Sequence, residues 1–249
     1  VGHKMLRELS SNAWMNSYYD RGMERVPTLK SEVEDVVRRY GQGHIYASTA
    51  CLGSELDKAI LELHEAEMLG NIAGEKQAHD KIVTFLEWCI NTYGEGNFSL
   101  EVQPAQSEDQ IIVNKRMSSI AKAFDLPICI TCDSHYLCKE DRYIHKAFLN
   151  SKEGEREVDS FYEYAYLQSE EEIRRNLEDT ELDYEELCTN SMKIWDRCEY
   201  YTLKRKQHVP QVAVPDFPKE AVDSHVYDTK KYPTLDKLSH SDNSQERYW

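Results

Sequence analysis

Residues 98–132 constrain the fold more than any other stretch of the chain. "FSLEVQP" (98–104) alternates strictly, with Phe98, Leu100 and Val102 set against Ser99, Glu101 and Gln103. That is the period-2 pattern of a strand. Ser107 to Gln110 reads as a capping box, and Val113, Met117, Ile120 and Phe124 then recur at helical spacing. Pro127 breaks that helix, and "ICITC" (128–132) is a continuous apolar run of the kind found in buried parallel strands. Strand, helix and strand together have the length of one βαβ crossover. Helices alternate with strand candidates elsewhere too, so a parallel α/β sheet or barrel is predicted.

Upstream, residues 2–19 read as a helix with Leu6, Leu9, Ala13 and Trp14 on one stripe. Thr28 is the expected N-cap of a second helix carrying Leu29, Val33, Val36, Val37 and Tyr40, stopped by Gly41 and Gly43. "HIYASTA" (44–50) is the first strand candidate. Leu56 to Tyr93 is helical, broken near "GNIAG" and ended at Gly94. Downstream, 139–150 look helical, and Ser169 to Glu172 is a second capping box. Residues 182–199 form a helix with Leu187, Ser191, Ile194 and Cys198 inward. Trp14, Trp88 and Trp195 lie in helical stripes and read as core. "HVPQVAVPDFP" is an extended link, and the polar last thirty residues are expected to be poorly ordered in isolation.

Charge and cysteine usage narrow the function classes. The net charge is −15 over 249 residues, and residues 151–190 carry four Lys/Arg against fourteen Asp/Glu. Generic electrostatic binding of DNA by this segment is therefore not expected. No run approaches the roughly 20 apolar residues of a membrane span, and the start "VGHKMLREL" does not read as a signal peptide. The chain opens without methionine and stops within a pattern, which reads as a piece of a longer protein. Seven cysteines, an odd number lying mostly in apolar patterns, suit a reducing compartment better than a disulfide framework. Cys129-x-x-Cys132 has no matching second pair, and strand alternation sets its members on opposite faces.

Two stretches carry candidate chemistry. In "ITCDSHYL", Asp133 and His135 stand two apart at the end of the buried strand, where period-2 geometry points them the same way, roughly 6–7 Å apart. The C-terminal strand ends form the active-site mouth in parallel α/β architectures. A carboxylate and an imidazole converging there can bind a divalent metal. In "STACLGSEL", Cys51 ends another strand candidate, and its thiolate can join them if both strands share one barrel. Mixed sulfur, nitrogen and oxygen donors suit zinc best, then manganese or iron. Taken singly, Asp133 also reads as a cap, His135 as a hydrogen-bonded rim residue and Cys51 as a small buried thiol. Glu101 and Gln103 read either as groups behind the ligands or as an ordinary solvent-side strand face. His145 sits on a helix with no partner spacing. No GxGxxG, Walker loop, GxSxG, HExxH or HxH occurs.

In order along the chain, "GHIYASTACLGSEL", "NFSLEVQP", "LPICITCDSHYLCKEDRYIHKAFL", "AYLQSEEEIRRNL" and "LCTNSMKIWDRCE" leading to "VPQVAVPDFP" resemble one family. It is the polymerase-and-histidinol-phosphatase (PHP) domain at the N-terminus of the bacterial, and phage-encoded, DNA polymerase III alpha subunit. The resemblance implies the C-terminal half of a distorted seven-stranded (β/α) barrel, then a helical extension and an extended linker. It divides the chain into barrel and extension (1–200), proline-rich linker (201–218) and the start of the polymerase region (219–249). Cys51, Asp133 and His135 fall on metal ligands of the family, with Asp133 and His135 also catalytic, and zinc, manganese or iron as the ion. The family's HxH, an acidic ligand and a mid-domain histidine would precede residue 1, so the site in this chain is incomplete. Where the family has Asn before its aspartate, this chain has Cys132.

The function implied is a segment of a replicative DNA polymerase bearing a metal-dependent phosphoesterase, a 3′–5′ exonuclease-type site. The segment alone would be inactive and, as a half barrel with open strand edges, only marginally stable. DNA bound through the parent polymerase, a proofreading exonuclease subunit and a sliding clamp are the implied partners, in bacterial cytoplasm. Two other readings stand beside it: an inert barrel that docks the proofreading subunit, and a free-standing PHP phosphatase.

Overall fold

Three parallel strands, β3 (Ala47–Ser48), β4 (Phe98–Val102) and β5 (Ile128–Ile130), pair in the order β3-β4-β5. Ala47 and Ser48 stand against Phe98 and Ser99, and Leu100, Glu101 and Val102 against Ile128, Cys129 and Ile130. All three carboxyl ends therefore lie along one edge. The computed structural model describes residues 1–20, 22–151, 160–204, 206–207 and 230–243, the side chains of 160 and 161 excepted. The chain divides into two compact units, Val1–Glu199 and Tyr200–Trp249.

Helices surround the sheet where the apolar spacing predicts them. They are α1 (Gly2–Met15), α2 (Lys30–Tyr40), α3 (Glu55–Met68), α4 (Ile72–Tyr93), α5 (Glu108–Phe124), α6 (Arg142–Leu149), α7 (Glu170–Leu177) and α8 (Tyr184–Asp196). The fold is α/β with a small sheet. Its main core packs Leu56 and Ile60 of α3 and Leu86 of α4 with Leu100 and Val102 of β4 and Val113 and Met117 of α5. Each such side chain, taken fully out of water, contributes about 1.5–3 kcal/mol. A second cluster joins Met5 and Leu9 of α1 to Val33, Val36 and Val37 of α2, and Trp88 and Tyr93 touch both clusters.

Helix ends follow local chemistry. Ser54 caps α3 by accepting from Asp57 N–H at 3.0 Å, and Ser169 with Glu172 forms the expected capping box of α7. The box expected at Ser107 is absent: Ser107 is the N-cap of α5, but its side chain makes no capping bond. Gly94 closes α4 at φ 84°, with the Gln42 amide donating to Asn91 O and Thr92 O over the same end. A Cβ at Gly94 would lie 2.6 Å from Gln42 Oε1.

Four further expectations need correction. The helix expected over 2–19 stops at Met15, and Tyr18–Asp20 (β1) pairs antiparallel with Met23–Arg25 (β2). The buried stripe of α1 is Met5, Leu9 and Ala13, while Leu6 and Trp14 stand exposed. α2 begins after Leu29, not after Thr28, because the Glu32 carboxylate accepts from Leu29 N–H. Trp195 and Cys198 face solvent, not the core.

The outer edge of β5 is closed by side chains in place of a strand. Asn190 Nδ2 donates to Ile128 O at 3.0 Å, and Ser191 Oγ accepts from Ile130 N at 3.2 Å and lies 3.3 Å from Ile130 O. α8 thus satisfies an edge that would otherwise invite another chain.

Within the second unit, α9 (Pro233–Ser239) starts with proline in its first turn, where the missing N–H costs nothing. Most of the expected linker, 201–218, and much of 219–249 lie outside the described residues. No helix among the described residues is long and apolar enough to cross a membrane.

Candidate functional site

The site is built on the shared carboxyl edge of β3, β4 and β5. β4 is buried along its whole length, so the polar half of its alternation is an inner face and not a solvent-side one. Glu101 and Gln103 are each only 9% exposed. Glu101 Oε2 accepts from Ser48 Oγ at 2.6 Å, and Glu101 Oε1 accepts from Thr131 Oγ1 at 2.7 Å and from Gln103 Nε2 at 3.4 Å. Its backbone N–H donates to Thr49 Oγ1 at 2.9 Å. One carboxylate thus ties the ends of all three strands.

Beyond those ends the backbone turns sharply. Ala50 has φ 65° and Asp133 φ 42°. The left-handed region costs a residue with a side chain roughly 1–2 kcal/mol, less for aspartate. The two turns carry Cys51 and the Asp133–His135 pair. Asp133 Oδ1 lies 3.6 Å from His135 Nε2, with the side chains 37% and 36% exposed. The pair is reachable by a ligand.

After Asp133 the chain leaves the sheet and is held by the segment before α7. His135 N–H donates to Ala165 O at 2.8 Å, and Tyr136 OH donates to Tyr162 O at 2.5 Å. His135 packs in a ring cluster, its centroid 5.2 Å from His145 and 5.1 Å from Tyr162. His145 Nδ1 is buried with no hydrogen-bond partner. Burial, then the neighbouring His135, lowers its pKa.

Acidic groups crowd the same edge. Burial pushes the Cys51 thiol up; the Gly53 amide counters this, and Asp133 and Asp57 add to it. Asp57, 1% exposed at the start of α3, has Oδ1 without a partner. Its pKa is pushed up to about 7, mainly by burial, against a hydrogen bond with Ser54 and with Glu101 adding repulsion. Beside Asp133, a cavity of about 10 Å³, room for one water, is lined by Cys132, Gln103, Gln110 and Tyr164 among others.

The structure therefore brings Asp133 and His135 together, and the Asp133 charge is one of the lesser causes that raise the Cys51 thiol's pKa. Among the described residues no three His, Cys, Asp or Glu side chains assemble to hold a metal ion. The partly exposed carboxylate–imidazole pair could offer two donors to a divalent metal. Sequence reasoning missed His145, which α6 folds back onto His135, and Asp57. The available signal for Asp57 was a carboxylate between Leu56 and Ala59 on a buried helix face.

The chain is 42% identical over 248 residues, 99% of its length, to the probable DNA polymerase YorL of Bacillus subtilis (strain 168), and equally to the DNA-directed DNA polymerase of Bacillus phage SPbeta. It is 25% identical over 239 residues to the DNA polymerase III subunit alpha of Thermus aquaticus. The chain is similar to DNA polymerases along nearly all its length. It spans 19% of the first two relatives and 17% of the third. No family model matches it.

Proposed function

We propose that this chain is part of a replicative DNA polymerase of the DNA polymerase III alpha type. In this reading it contributes the C-terminal part of a PHP barrel with a metal-dependent phosphoesterase, 3′–5′ exonuclease-type site. The observation that carries the reading is the 42% identity to two DNA polymerases over 248 residues. Its support within the fold is the meeting of Asp133 and His135 at the carboxyl edge of a parallel sheet.

Cys51, Asp133 and His135 would supply three of the metal donors, the rest coming from the parent protein. A bound divalent ion would polarise a phosphodiester oxygen and lower the pKa of a bound water. The chain's own part is to hold that ion against three fixed strand ends. With its net charge of −15, the segment would meet DNA only through the metal site and the rest of the parent. A proofreading subunit and the sliding clamp are the protein partners to look for, in the cytoplasm of a bacterium or a phage-infected cell.

An inert barrel is the second reading, favoured by the lack of a three-donor group among the described residues. Purified parent protein, assayed for primer extension and for manganese- or zinc-dependent 3′–5′ degradation of single-stranded DNA, separates the two. Extension with metal-dependent degradation supports the active site. Extension alone leaves the scaffold, and neither activity removes the polymerase reading.

A further inference from the structure

We infer that Glu101 is a positioning residue that sets the Cys51 turn and the Asp133 turn against each other from the strand between them. Its two carboxylate oxygens divide the task. Oε2 takes the Ser48 hydroxyl at 2.6 Å, three residues before Cys51, and Oε1 takes the Thr131 hydroxyl at 2.7 Å, two residues before Asp133. The Glu101 backbone adds a third tie, N–H to Thr49 Oγ1 at 2.9 Å. Gln103 Nε2 donates to Oε1 at 3.4 Å from the next inward-facing position of the same strand.

A carboxylate at this place accepts from both hydroxyls at once. Two hydroxyl donors, from strands on either side, need an acceptor with two oxygens. An amide would accept from one hydroxyl and could keep the other only by donating its NH₂ to it. Glu101 is 9% exposed, so water does not readily substitute for a lost acceptor. The turns it ties are those with left-handed Ala50 (φ 65°) and Asp133 (φ 42°). Such conformations persist only where the surroundings over-determine them. Removing the carboxylate therefore releases both ties together, and Cys51 and Asp133 lose their common frame.

That Cys51 and Asp133 hold a metal rests on the function proposed above; the mechanical coupling does not. The test uses the intact parent protein with Glu101→Ala and, as a second route to the loss of the same two bonds, the double variant Ser48→Ala/Thr131→Ala. Amide hydrogen exchange is followed over 48–54, over 131–136 and, as reference, over α4, and Co²⁺ binding is followed by its visible absorption. Exchange is expected to rise at least about tenfold in both turns together, with α4 unchanged, and Co²⁺ affinity to fall about 10–100-fold, as for other groups that orient metal ligands. Exchange that is unchanged, or raised at one turn alone, overturns the inference. If Glu101→Ala unfolds the domain, the double variant decides by the same criterion. Coupled loosening in the variants, with a wild type that binds no Co²⁺, leaves Glu101 as the positioning residue and removes the metal reading. Metal binding with turns that do not loosen does the reverse.

Discussion

Asp133 Oδ1 stands 3.6 Å from His135 Nε2 although neither residue lies on β5, which ends at Ile130. On a regular strand the two residues would stand about 6–7 Å apart along the backbone, side chains on one face. The left-handed turn at Asp133 and the His135 N–H···O bond to Ala165 fold the pair together. The convergence comes from a turn held on both sides, and it makes the site sensitive to groups that never touch a ligand.

Asp57 should make stability depend on pH. Its pKa is 3.8 as the reference value and about 7 in the fold, so between those values the folded state binds the extra proton. The neutral acid is favoured in the fold, and stability falls as pH rises from about 4 to about 7, with the full penalty above 7. Asp57→Asn should therefore stabilise the 249-residue chain at pH 8, by on the order of 1–3 kcal/mol, and have little effect near pH 4. Urea midpoints at pH 4.5 and pH 8 measure the difference. An equal effect at both would show that Asp57 does not titrate this way.

Removing the side chains that close β5 should destabilise and also promote association. Asn190→Ala with Ser191→Ala frees the main-chain groups of Ile128 and Ile130. Loss of these bonds should cost about 1–3 kcal/mol in urea unfolding. Sedimentation at rising concentration should show self-association that the parent sequence lacks.

His145 should tolerate a ring without nitrogens. Its Nδ1 is buried and unpartnered, and its ring packs on His135, Tyr136 and Tyr162. His145→Phe keeps the packing and removes the unsatisfied group, so thermal stability should hold or rise by about 1 kcal/mol equivalent. His145→Ala should lower it. A drop with phenylalanine as large as with alanine would mean that Nδ1 has a partner in solution.

In the core, Leu100 is fully buried on the central strand. Leu100→Ala should cost about 2–5 kcal/mol in urea unfolding, with the α4–β4 amides losing exchange protection first.

The crossover was legible because period-2 and period-3.6 patterns, Pro127 and a continuous apolar run all pointed one way over 98–130. The hairpin at Tyr18–Arg25 was not: its strands are three residues each and mostly exposed, so no buried face marks the pattern. Glu101 looked like a solvent-side residue because alternation reports polarity and not burial; its partners Ser48 and Thr131 lie 53 and 30 residues away in sequence. Asp133 and His135 were visible as a pair, while His145 was not, since its approach to His135 depends on how α6 folds back.

In the proposed function Cys51, Asp133 and His135 supply donors to one metal site in the parent polymerase. The most direct measurement is Co²⁺ titration of that protein, followed by the near-ultraviolet thiolate-to-cobalt absorption, for wild type and for Cys51→Ser, Asp133→Ala and His135→Ala. Expected is a thiolate band in the wild type that Cys51→Ser abolishes, with affinity lowered at least about 10–100-fold in the other two. Cobalt binding that is the same in all four proteins, or no thiolate band in the wild type, would contradict it.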